Sequence, residues 1–202
     1  EVDDSFRPDV DGEFIGFDLA PTAIEAARAT AREAGLSNVR FELCDLNKAQ
    51  GRFGRFDYVV CHGVLAWSPA PARRTLMELI AASLTPLGLG VVTYNVRPGC
   101  RLREALRDAL TLAVADEPSP ARRRDVARAR LADLAQIWDV ADPYRQALRQ
   151  EALAQLAKPA AVLFHDELGQ TYAPQRFADV VAMGEAVGLA YVCDTQVRLL
   201  AG

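Results

Sequence analysis

The chain has 202 residues, half of them hydrophobic, which is enough for one sizeable core. Its net charge of -4 gives no electrostatic basis for binding nucleic acid or an anionic membrane. No apolar run approaches the roughly 18 residues of a spanning helix, and the cysteines form no C-x-x-C pair. We therefore expect a cytoplasmic protein with reduced thiols.

The first part of the chain predicts a strand, a helix and a second strand. Residues 13–18 form a short apolar run that ends on Asp18. Pro21 suits the first turn of the helix, and Gly35 suits its end because glycine adopts a left-handed conformation readily. Residues 39–44 alternate between apolar and polar side chains, as a half-buried strand does, and Asp45 follows them.

The middle of the chain predicts a buried strand followed by a polar loop. Residues 56–61 are mostly β-branched or aromatic, and the run stops at His62. A helix over residues 71–84 and a strand over residues 90–95 follow. The alternation of strands and helices indicates an α/β fold with a parallel sheet and crossover helices. Ligands bind at the carboxyl ends of such strands, so His62 lies where a site is expected.

Beyond Gly99 the pattern becomes helical. We predict helices over residues 101–115, from Pro120 onward with Ser119 as cap, over residues 143–157 and over residues 174–187, and a last strand over residues 189–193. The residues predicted to face inward are Leu102, Leu106, Leu110, Val114, Val126, Leu131, Leu134, Trp138, Tyr144, Leu148, Leu156, Phe177, Val180 and Val181.

Two aspartates end neighbouring predicted strands. Asp18 can accept hydrogen bonds from a ribose diol, or it can simply cap the helix that follows. Asp45 can face an adenine amino group with Leu46 as apolar cover, or it can hold its own turn. The residues alone leave both alternatives open.

Each of the remaining candidate residues also has both a functional and a structural interpretation. His62 and His165 have no further ligand at metal spacing, so we expect no metal site. The pair His165-Asp166 is either an acid/base pair or a local cap. Trp67 either walls a pocket or belongs to the core. Asn95 either binds a polar substrate group or holds its turn.

Three segments resemble one enzyme family. Ile15-Gly16-Phe17-Asp18-Leu19, with residues 38–45 and 56–60, resembles the nucleotide-binding half of class I S-adenosylmethionine-dependent methyltransferases. Residues 61–69, CHGVLAWSP, resemble the H-G-V-Y-S-W-V-P motif of the bacterial group that carries a methyltransferase regulatory domain. Residues 94–99, YNVRPG, resemble that group's Y-N-T-Y-P-G-W, and residues 163–191 resemble its F-H-D-x-L…F…G-L-x-Y segment.

The resemblance implies a Rossmann-like parallel sheet with flanking helices, S-adenosylmethionine as cofactor, and a protein or small-molecule methyl acceptor, with protein lysine among the acceptors of the group. By position, the implied cofactor contacts are Asp18, Leu19, Asp45, Leu46, Cys61, His62 and Gly63. The implied catalytic residues are His62, Tyr94 and Asn95. Trp67 and Asn95 would border the acceptor.

The chain departs from the family pattern in three places. Leu65-Ala66 replaces Tyr-Ser, and Cys100 replaces a tryptophan. The glycine-rich first strand and loop should precede Glu13, and residues 1–12 contain no such motif. Because that loop lets the backbone approach the amino-acid end of the cofactor, we expect only the adenosine half of the site here. We therefore expect a chain cut at both ends or a degenerate homologue, with weak or no cofactor binding by itself.

These considerations give one partial methyltransferase domain over residues 1–202, with a helical insertion or lid over residues 101–158 before the last strand. A hypothesis of a different class is a non-catalytic scaffold or partner-binding module, favoured by the altered Leu65-Ala66. A nicotinamide-dependent oxidoreductase shares the sheet and the acid at Asp18. It is disfavoured because the His-Gly-Val and Tyr-Asn-Pro-Gly segments have no function there.

Overall fold

The computed structural model of the chain describes residues 12–137 and 141–195. By its internal contacts the chain forms two compact units. The first unit comprises Glu1–Val59 and Arg74–Gly90, and the second unit comprises Val60–Arg73 and Val91–Gly202.

The strands of the described residues are short except for the fourth. They are β1 (Phe14–Asp18), β2 (Val39–Leu43), β3 (Phe56–His62), β4 (Leu84–Thr93), β5 (Val96–Arg97) and β6 (Gln175–Arg176). The α-helices are α1 (Pro21–Glu33), α2 (Ala70–Ser83), α3 (Arg101–Ala113), α4 (Pro120–Ile137), α5 (Pro143–Leu156), α6 (Ala160–Leu168) and α7 (Phe177–Glu185). Single 3₁₀ turns cover Leu46–Lys48 and Leu65–Trp67.

The strands pair as the α/β pattern predicts. β1 and β2 are parallel, with Asp18 opposite Leu43 at their carboxyl ends. β3 pairs with β4. The Thr85 hydroxyl donates to Asp57 near the starts of these strands, and Gly63 N–H donates to Thr93 near their ends, so the two strands run in the same direction. The predicted Rossmann-like α/β fold with parallel strands and flanking helices is therefore confirmed, and no described strand joins the two pairs.

The last predicted strand, over residues 189–193, is wrong. That segment has no regular structure, and its Tyr191 and Val192 are exposed. The last described strand is β6, which pairs in parallel with β5. The apolar run at residues 189–193 predicts a strand, but no described strand pairs with it. Tyr191 instead packs edge-on against Phe177, with the ring centroids 5.0 Å apart.

One boundary and one helix also differ from the prediction. α2 ends at Ser83 and β4 begins at Leu84, so Pro86 and Gly88 lie inside a strand and not in a break. Gly88 suits this position because a Cβ there would lie 2.9 Å from the Phe56 carbonyl oxygen. Helix α6, over Ala160–Leu168, has no counterpart in the prediction, because its apolar residues show no helical period.

Each unit has its own apolar core. In the first unit, Cys44, Ala49 and Leu79 are buried together. In the second unit, α3, α4, α5 and α6 bury a cluster formed by Leu106, Leu110, Val114, Ala127, Leu131, Leu134, Ala135, Ala152 and Leu163. The predicted inward positions Val126, Tyr144 and Phe177 are wrong, because all three side chains are exposed. Ala127 packs in the core in place of Val126. Trp138 lies outside the described residues.

Candidate functional site

In the first unit, Asp18 and Asp45 lie at the same end of a parallel strand pair. Asp18 is the last residue of β1, opposite Leu43 of β2, and Asp45 follows β2 by two residues. A backbone hydrogen bond joins the two chain segments at this end, because Cys44 N–H donates to the Asp18 carbonyl oxygen at 3.0 Å. The predicted neighbourhood of the two strands is confirmed, and both carboxylates lie at carboxyl ends of strands, where α/β proteins bind ligands.

Both aspartates use one oxygen for the local backbone. Asp18 Oδ1 accepts from Ala20 N–H at 2.7 Å, in the turn before α1. Asp45 Oδ1 accepts from the backbone and side-chain nitrogens of Asn47, each at 2.9 Å. Neither Oδ2 atom has a hydrogen-bond partner among the described residues. Since a carboxylate offers about four acceptor sites, the local turn and a ligand do not compete for these groups.

The apolar neighbours of the two aspartates differ in burial. Leu19 is 68% exposed, whereas Leu46 packs on the cluster of Cys44, Ala49 and Leu79. That cluster is extended by Phe17 and Phe53, whose rings stack with centroids 5.5 Å apart. The strand ends thus rest on a packed core and present one exposed leucine beside Asp18.

In the second unit, the loop after β3 is tied to the end of β4. Gly63 N–H donates to both the carbonyl oxygen and Oγ1 of Thr93, at 3.2 and 2.9 Å. The same Oγ1 lies 2.9 Å from His62 Nδ1. Gly63 has a φ of 68°, a left-handed value that favours glycine. Thr93 therefore positions the imidazole, and the sequence pattern did not indicate it.

Cys61 is not placed to act as a nucleophile. Its side chain is only 6% exposed. Burial raises the pKa of the Cys61 thiol, and a backbone hydrogen bond at Val64 lowers it by less. Because the thiolate is the reactive form, this thiol is not activated for nucleophilic attack.

Tyr94 and Asn95 follow β4 and are half-buried. Burial and the negative charge of Asp194 raise the pKa of the Tyr94 phenol, so it remains a neutral hydrogen-bonding group. The Asn95 carbonyl oxygen accepts from Gln175 N–H at 3.1 Å, beside the β5–β6 pair. The Asn95 side-chain amide has no hydrogen-bond partner within the described part of the chain.

Trp67 lies in a cluster of aromatic and cationic side chains. Its ring centroid is 4.6 Å from that of Tyr172 and 6.0 Å from that of His165. The guanidinium groups of Arg103 and Arg107 lie 5.3 and 5.4 Å from the Trp67 ring centroid. Burial raises the pKa of Tyr172 to about 12, so the phenol is neutral at physiological pH.

Two carboxylates hold Arg103, and backbone carbonyl oxygens hold Arg107. Arg103 and Arg107 are four residues apart on α3 and share a face. Arg103 donates to Glu167 Oε1 at 2.5 and 2.9 Å and to Asp166 Oδ2 at 3.0 Å. Glu167 is fully buried, and its Oε2 has no hydrogen-bond partner in the described segments. Burial lowers the pKa of Arg103, but the hydrogen bonds to Glu167 and Asp166 outweigh it and raise the pKa.

The candidate residues thus fall into two groups. Asp18, Leu19, Asp45 and Leu46 belong to the first unit, and Cys61, His62, Gly63, Trp67, Tyr94 and Asn95 belong to the second. Sequence reasoning missed Thr93, Tyr172 and the arginines of α3. Thr93 could be suspected as a polar residue at the end of an apolar strand, whereas nothing local marks Arg103.

The described residues contain no group of three or more His, Cys, Asp and Glu side chains arranged to hold a metal ion. Their helices do not reach the combined length and apolarity that crossing a membrane requires.

Comparison with known proteins gives a family-level match. A family model described as a methyltransferase domain matches residues 5–140. The chain is 28% identical over 93% of its length to protein RP789 of Rickettsia prowazekii, covering 34% of that protein. It is 33% identical over 36% of its length to the 2-heptyl-1-hydroxyquinolin-4(1H)-one methyltransferase of Mycobacteroides abscessus, covering 32% of that enzyme.

A solved structure extends the match to most of the fold. PKMT2 from Rickettsia typhi, in complex with AdoHcy, superposes with a TM-score of 0.76 at 25% identity, over 90% of this chain and 35% of that one. The chain thus spans about one third of the length of these relatives.

Proposed function

The chain belongs to the methyltransferase-domain family, whose cofactor is S-adenosylmethionine, and we propose that it forms the nucleoside-binding and acceptor-facing parts of an enzyme that methylates a protein lysine or another nitrogen acceptor. The family resemblance of the His-Gly-Val and Tyr-Asn-Pro-Gly segments supports the nitrogen acceptor. The AdoHcy complex of the related PKMT2 structure supports the cofactor assignment for this chain.

The observation that carries the proposal is the position of Asp18 and Asp45. Both lie at the carboxyl ends of neighbouring parallel strands, and both have an Oδ2 atom without a hydrogen-bond partner in the described residues. A ribose diol and an adenine amino group are hydrogen-bond donors that fit such acceptors. We propose Asp18 as the ribose ligand and Asp45 as the adenine ligand, with Leu19 and Leu46 as apolar neighbours.

Calorimetric titration of S-adenosylhomocysteine into the full-length protein tests this assignment. Asp18→Asn should weaken binding by about 10- to 100-fold, because a hydrogen bond to a charged group contributes about 1.5–3 kcal/mol. Asp45→Asn should weaken it by a smaller factor. Asp57→Asn is the matched control, because Asp57 pairs with Thr85 near the starts of β3 and β4 and should leave affinity unchanged.

Equal affinities for the wild type and Asp18→Asn would contradict the proposal. So would a loss in Asp57→Asn as large as that in Asp18→Asn, because it would indicate general destabilisation of the first unit.

In the second unit we propose that Cys61, His62 and Gly63 face the methyl donor and that Trp67, Tyr94 and Asn95 border the acceptor. When bound, S-adenosylmethionine supplies an activated sulfonium methyl group, so the protein mainly orients the reactants and excludes water. The free side-chain amide of Asn95 and the neutral phenol of Tyr94 are suited to orienting an amine. A lysine acceptor must also lose a proton, and His62 is one candidate to accept it.

His62→Ala in the full-length enzyme tests the role of the imidazole. Turnover should fall more than cofactor affinity, because His62 is proposed to face the reacting groups and does not carry the nucleoside. Thr93→Ser keeps the hydroxyl that lies 2.9 Å from His62 Nδ1 and should retain turnover, whereas Thr93→Val should not. Equal losses of turnover and affinity in His62→Ala would point to a structural role instead.

We further propose that the helices within residues 101–158 select the acceptor as an insertion or lid. Support comes from α3, α4 and α5, which bury their own apolar cluster. The non-catalytic scaffold hypothesis is not favoured, because the family model of the methyltransferase domain matches residues 5–140. We also propose a cytoplasmic location, supported by the free state of all the cysteines.

A further inference from the structure

A histidine and an aspartate are paired at the end of helix α6. His165 Nδ1 lies 3.0 Å from Asp166 Oδ1. The His165 side chain is 73% exposed and the Asp166 side chain 22%. An ionised carboxylate can only accept a hydrogen bond, so the proton of the neutral imidazole lies on Nδ1. The lone pair is then on Nε2, on a ring that is exposed to solvent.

Asp166 is held as a carboxylate by cations from two other segments. Arg103 of α3 donates to Asp166 Oδ2 at 3.0 Å, and Lys158 Nζ lies 3.7 Å from the same oxygen. Burial by itself raises the pKa of Asp166, but the hydrogen bonds from His165 and Arg103 and the charges of Arg103 and Lys158 outweigh it and lower the pKa. The carboxylate is therefore ionised at neutral pH and fixed in direction.

The end of α6 is also fixed against the turn that carries Trp67. Arg107 donates to the carbonyl oxygens of Asp166 and Gly169, the latter at 2.8 Å, and lies over the Trp67 ring. Downstream of the helix, Ala173 N–H donates to the Ala66 carbonyl oxygen at 2.7 Å. The His165 ring is thereby held beside Trp67, with ring centroids 6.0 Å apart.

The other histidine has a different partner. His62 Nδ1 faces the Thr93 hydroxyl, which can donate or accept and so does not fix the tautomer. The carboxylate of Asp166 can only accept a hydrogen bond and so fixes the tautomer of His165, as the orienting aspartate does in catalytic triads. The charged and titratable groups that surround the His165–Asp166 pair are Arg103, Arg107, Lys158, Glu167 and Tyr172.

We propose that the pair His165–Asp166, and not His62, accepts the proton that an ammonium acceptor must lose before methyl transfer. The inference rests on the proposed function and names a base for it. The N–H bond of the acceptor breaks, its electron pair remains on nitrogen as the nucleophile, and the proton moves to His165 Nε2. The imidazolium, paired with Asp166, then releases the proton to solvent.

Nitrogen NMR tests the pair without any turnover. Comparison of ¹⁵N-histidine spectra of the full-length wild type and of His165→Gln identifies the His165 signals as those that the variant lacks. In neutral His165 the protonated nitrogen should be Nδ1, and Asp166→Asn should shift the ring toward the other tautomer. A dominant Nε2–H form, or spectra that Asp166→Asn leaves unchanged, would overturn the pairing.

Kinetics tests the base. With S-adenosylmethionine and poly-L-lysine as probes, His165→Gln should lower kcat by about 10²–10⁴-fold with little change in the KM for S-adenosylmethionine. Asp166→Asn should lower kcat by a smaller factor. Raising the pH should recover much of the turnover of His165→Gln, because solvent then deprotonates the amine, and a purely structural defect would not recover. Val162→Ala, exposed on the same helix, is the control and should match the wild type.

The outcomes separate the two proposals. If the wild type is active and the kcat of His165→Gln is within about twofold of its value, the base assignment alone is overturned. The same follows if His62→Gln loses more kcat than His165→Gln does. If the wild type does not methylate poly-L-lysine, the proposed amine acceptor is contradicted. The base proposal is then contradicted as well, whatever the NMR spectra show, because it rests on that acceptor.

Discussion

The ion pairs described in the first unit are exposed to solvent, whereas the second unit contains a buried ion pair between an arginine and a glutamate. Arg40–Glu13 and Arg52–Glu42, at 3.5 and 3.7 Å, join side chains that are at least about one third exposed. Arg103–Glu167, at 2.5 Å, joins a side chain that is 14% exposed to one that is fully buried. Exposed pairs contribute about 0–1 kcal/mol, while a broken buried pair leaves an uncompensated charge.

The contrast extends to how the candidate residues are held. Asp18 and Asp45 are positioned by the strand ends and by backbone groups two residues away. Asp166 is positioned by Arg103, a residue 63 positions earlier in the chain. The candidate residues of the first unit are therefore held by local contacts, whereas the proposed base in the second unit is held by contacts between residues distant in the sequence.

The largest expected effect is the loss of the buried pair. Arg103→Met should lower the free energy of unfolding by about 3–5 kcal/mol, because Glu167 is left buried without its main partner. Adding Glu167→Leu should recover much of the loss. Denaturant unfolding of the purified variants measures both effects.

Arg101→Met is the matched control for this experiment. Arg101 pairs with Glu104 at 3.3 Å, but its side chain is 66% exposed, so the expected change is at most about 1 kcal/mol. If Arg101→Met and Arg103→Met lowered the free energy of unfolding equally, the expected difference between exposed and buried ion pairs would be contradicted.

The helical core of the second unit should give the next largest effect. Leu110 is completely buried in the cluster of α3, α4, α5 and α6, so Leu110→Ala should cost about 2–5 kcal/mol in thermal or denaturant unfolding. Leu112, on the same helix, is 79% exposed, and Leu112→Ala should change stability by less than about 0.5 kcal/mol. Similar costs at the two leucines would mean that α3 does not face the core as described.

In the first unit, Gly16→Ala should have a moderate effect. A Cβ at Gly16 would lie 2.7 Å from Cδ1 of the Phe41 ring on the adjacent strand. Displacing that ring should cost about 1–3 kcal/mol, and Phe41→Leu in the same chain should relieve part of it. If Gly16→Ala were as stable as the wild type in urea unfolding, the close approach of β1 and β2 at this point would be contradicted.

The smallest effect is a pH dependence at Asp166. Its pKa is lowered from the ordinary value of 3.8, so the ionised form stabilises the folded chain. That contribution is complete above the unfolded-state pKa and is lost as the pH falls through the lower folded-state pKa. Asp166→Asn should flatten the decline in unfolding free energy as the pH falls through the ordinary value of 3.8 and below it, by at most about 1 kcal/mol. An unchanged decline would show that Asp166 is not held as described.

Much of the first unit could be predicted because its signals are local. Pro21, Gly35 and the alternating residues of β2 fix α1 and the parallel pair, and the register then brings Asp18 and Asp45 to one end. The segment at residues 189–193 shows the limit of the same reasoning. Its apolar run suits a strand, but a strand forms only where another strand is available to pair with it.

The second unit was less predictable for the same physical reason. Helix α6 and the ion pairs of Arg103 depend on partners about 60 residues apart, and no spacing along the chain reports them. The pairing of Thr93 with His62 across 31 residues is also set by the alignment of β3 and β4. Sequence therefore indicated His62 and His165 as candidates but could not distinguish between their partners.

A thermodynamic cycle on the ribose diol tests the nucleoside assignment most directly. The affinities of the wild type and Asp18→Asn are measured by calorimetry for 5′-methylthioadenosine and for its 2′,3′-dideoxy analogue. Removing the diol should weaken binding to the wild type by about 10- to 100-fold and should have little effect on Asp18→Asn, because the two groups interact with each other. A diol that contributes equally to binding in both proteins would contradict the account.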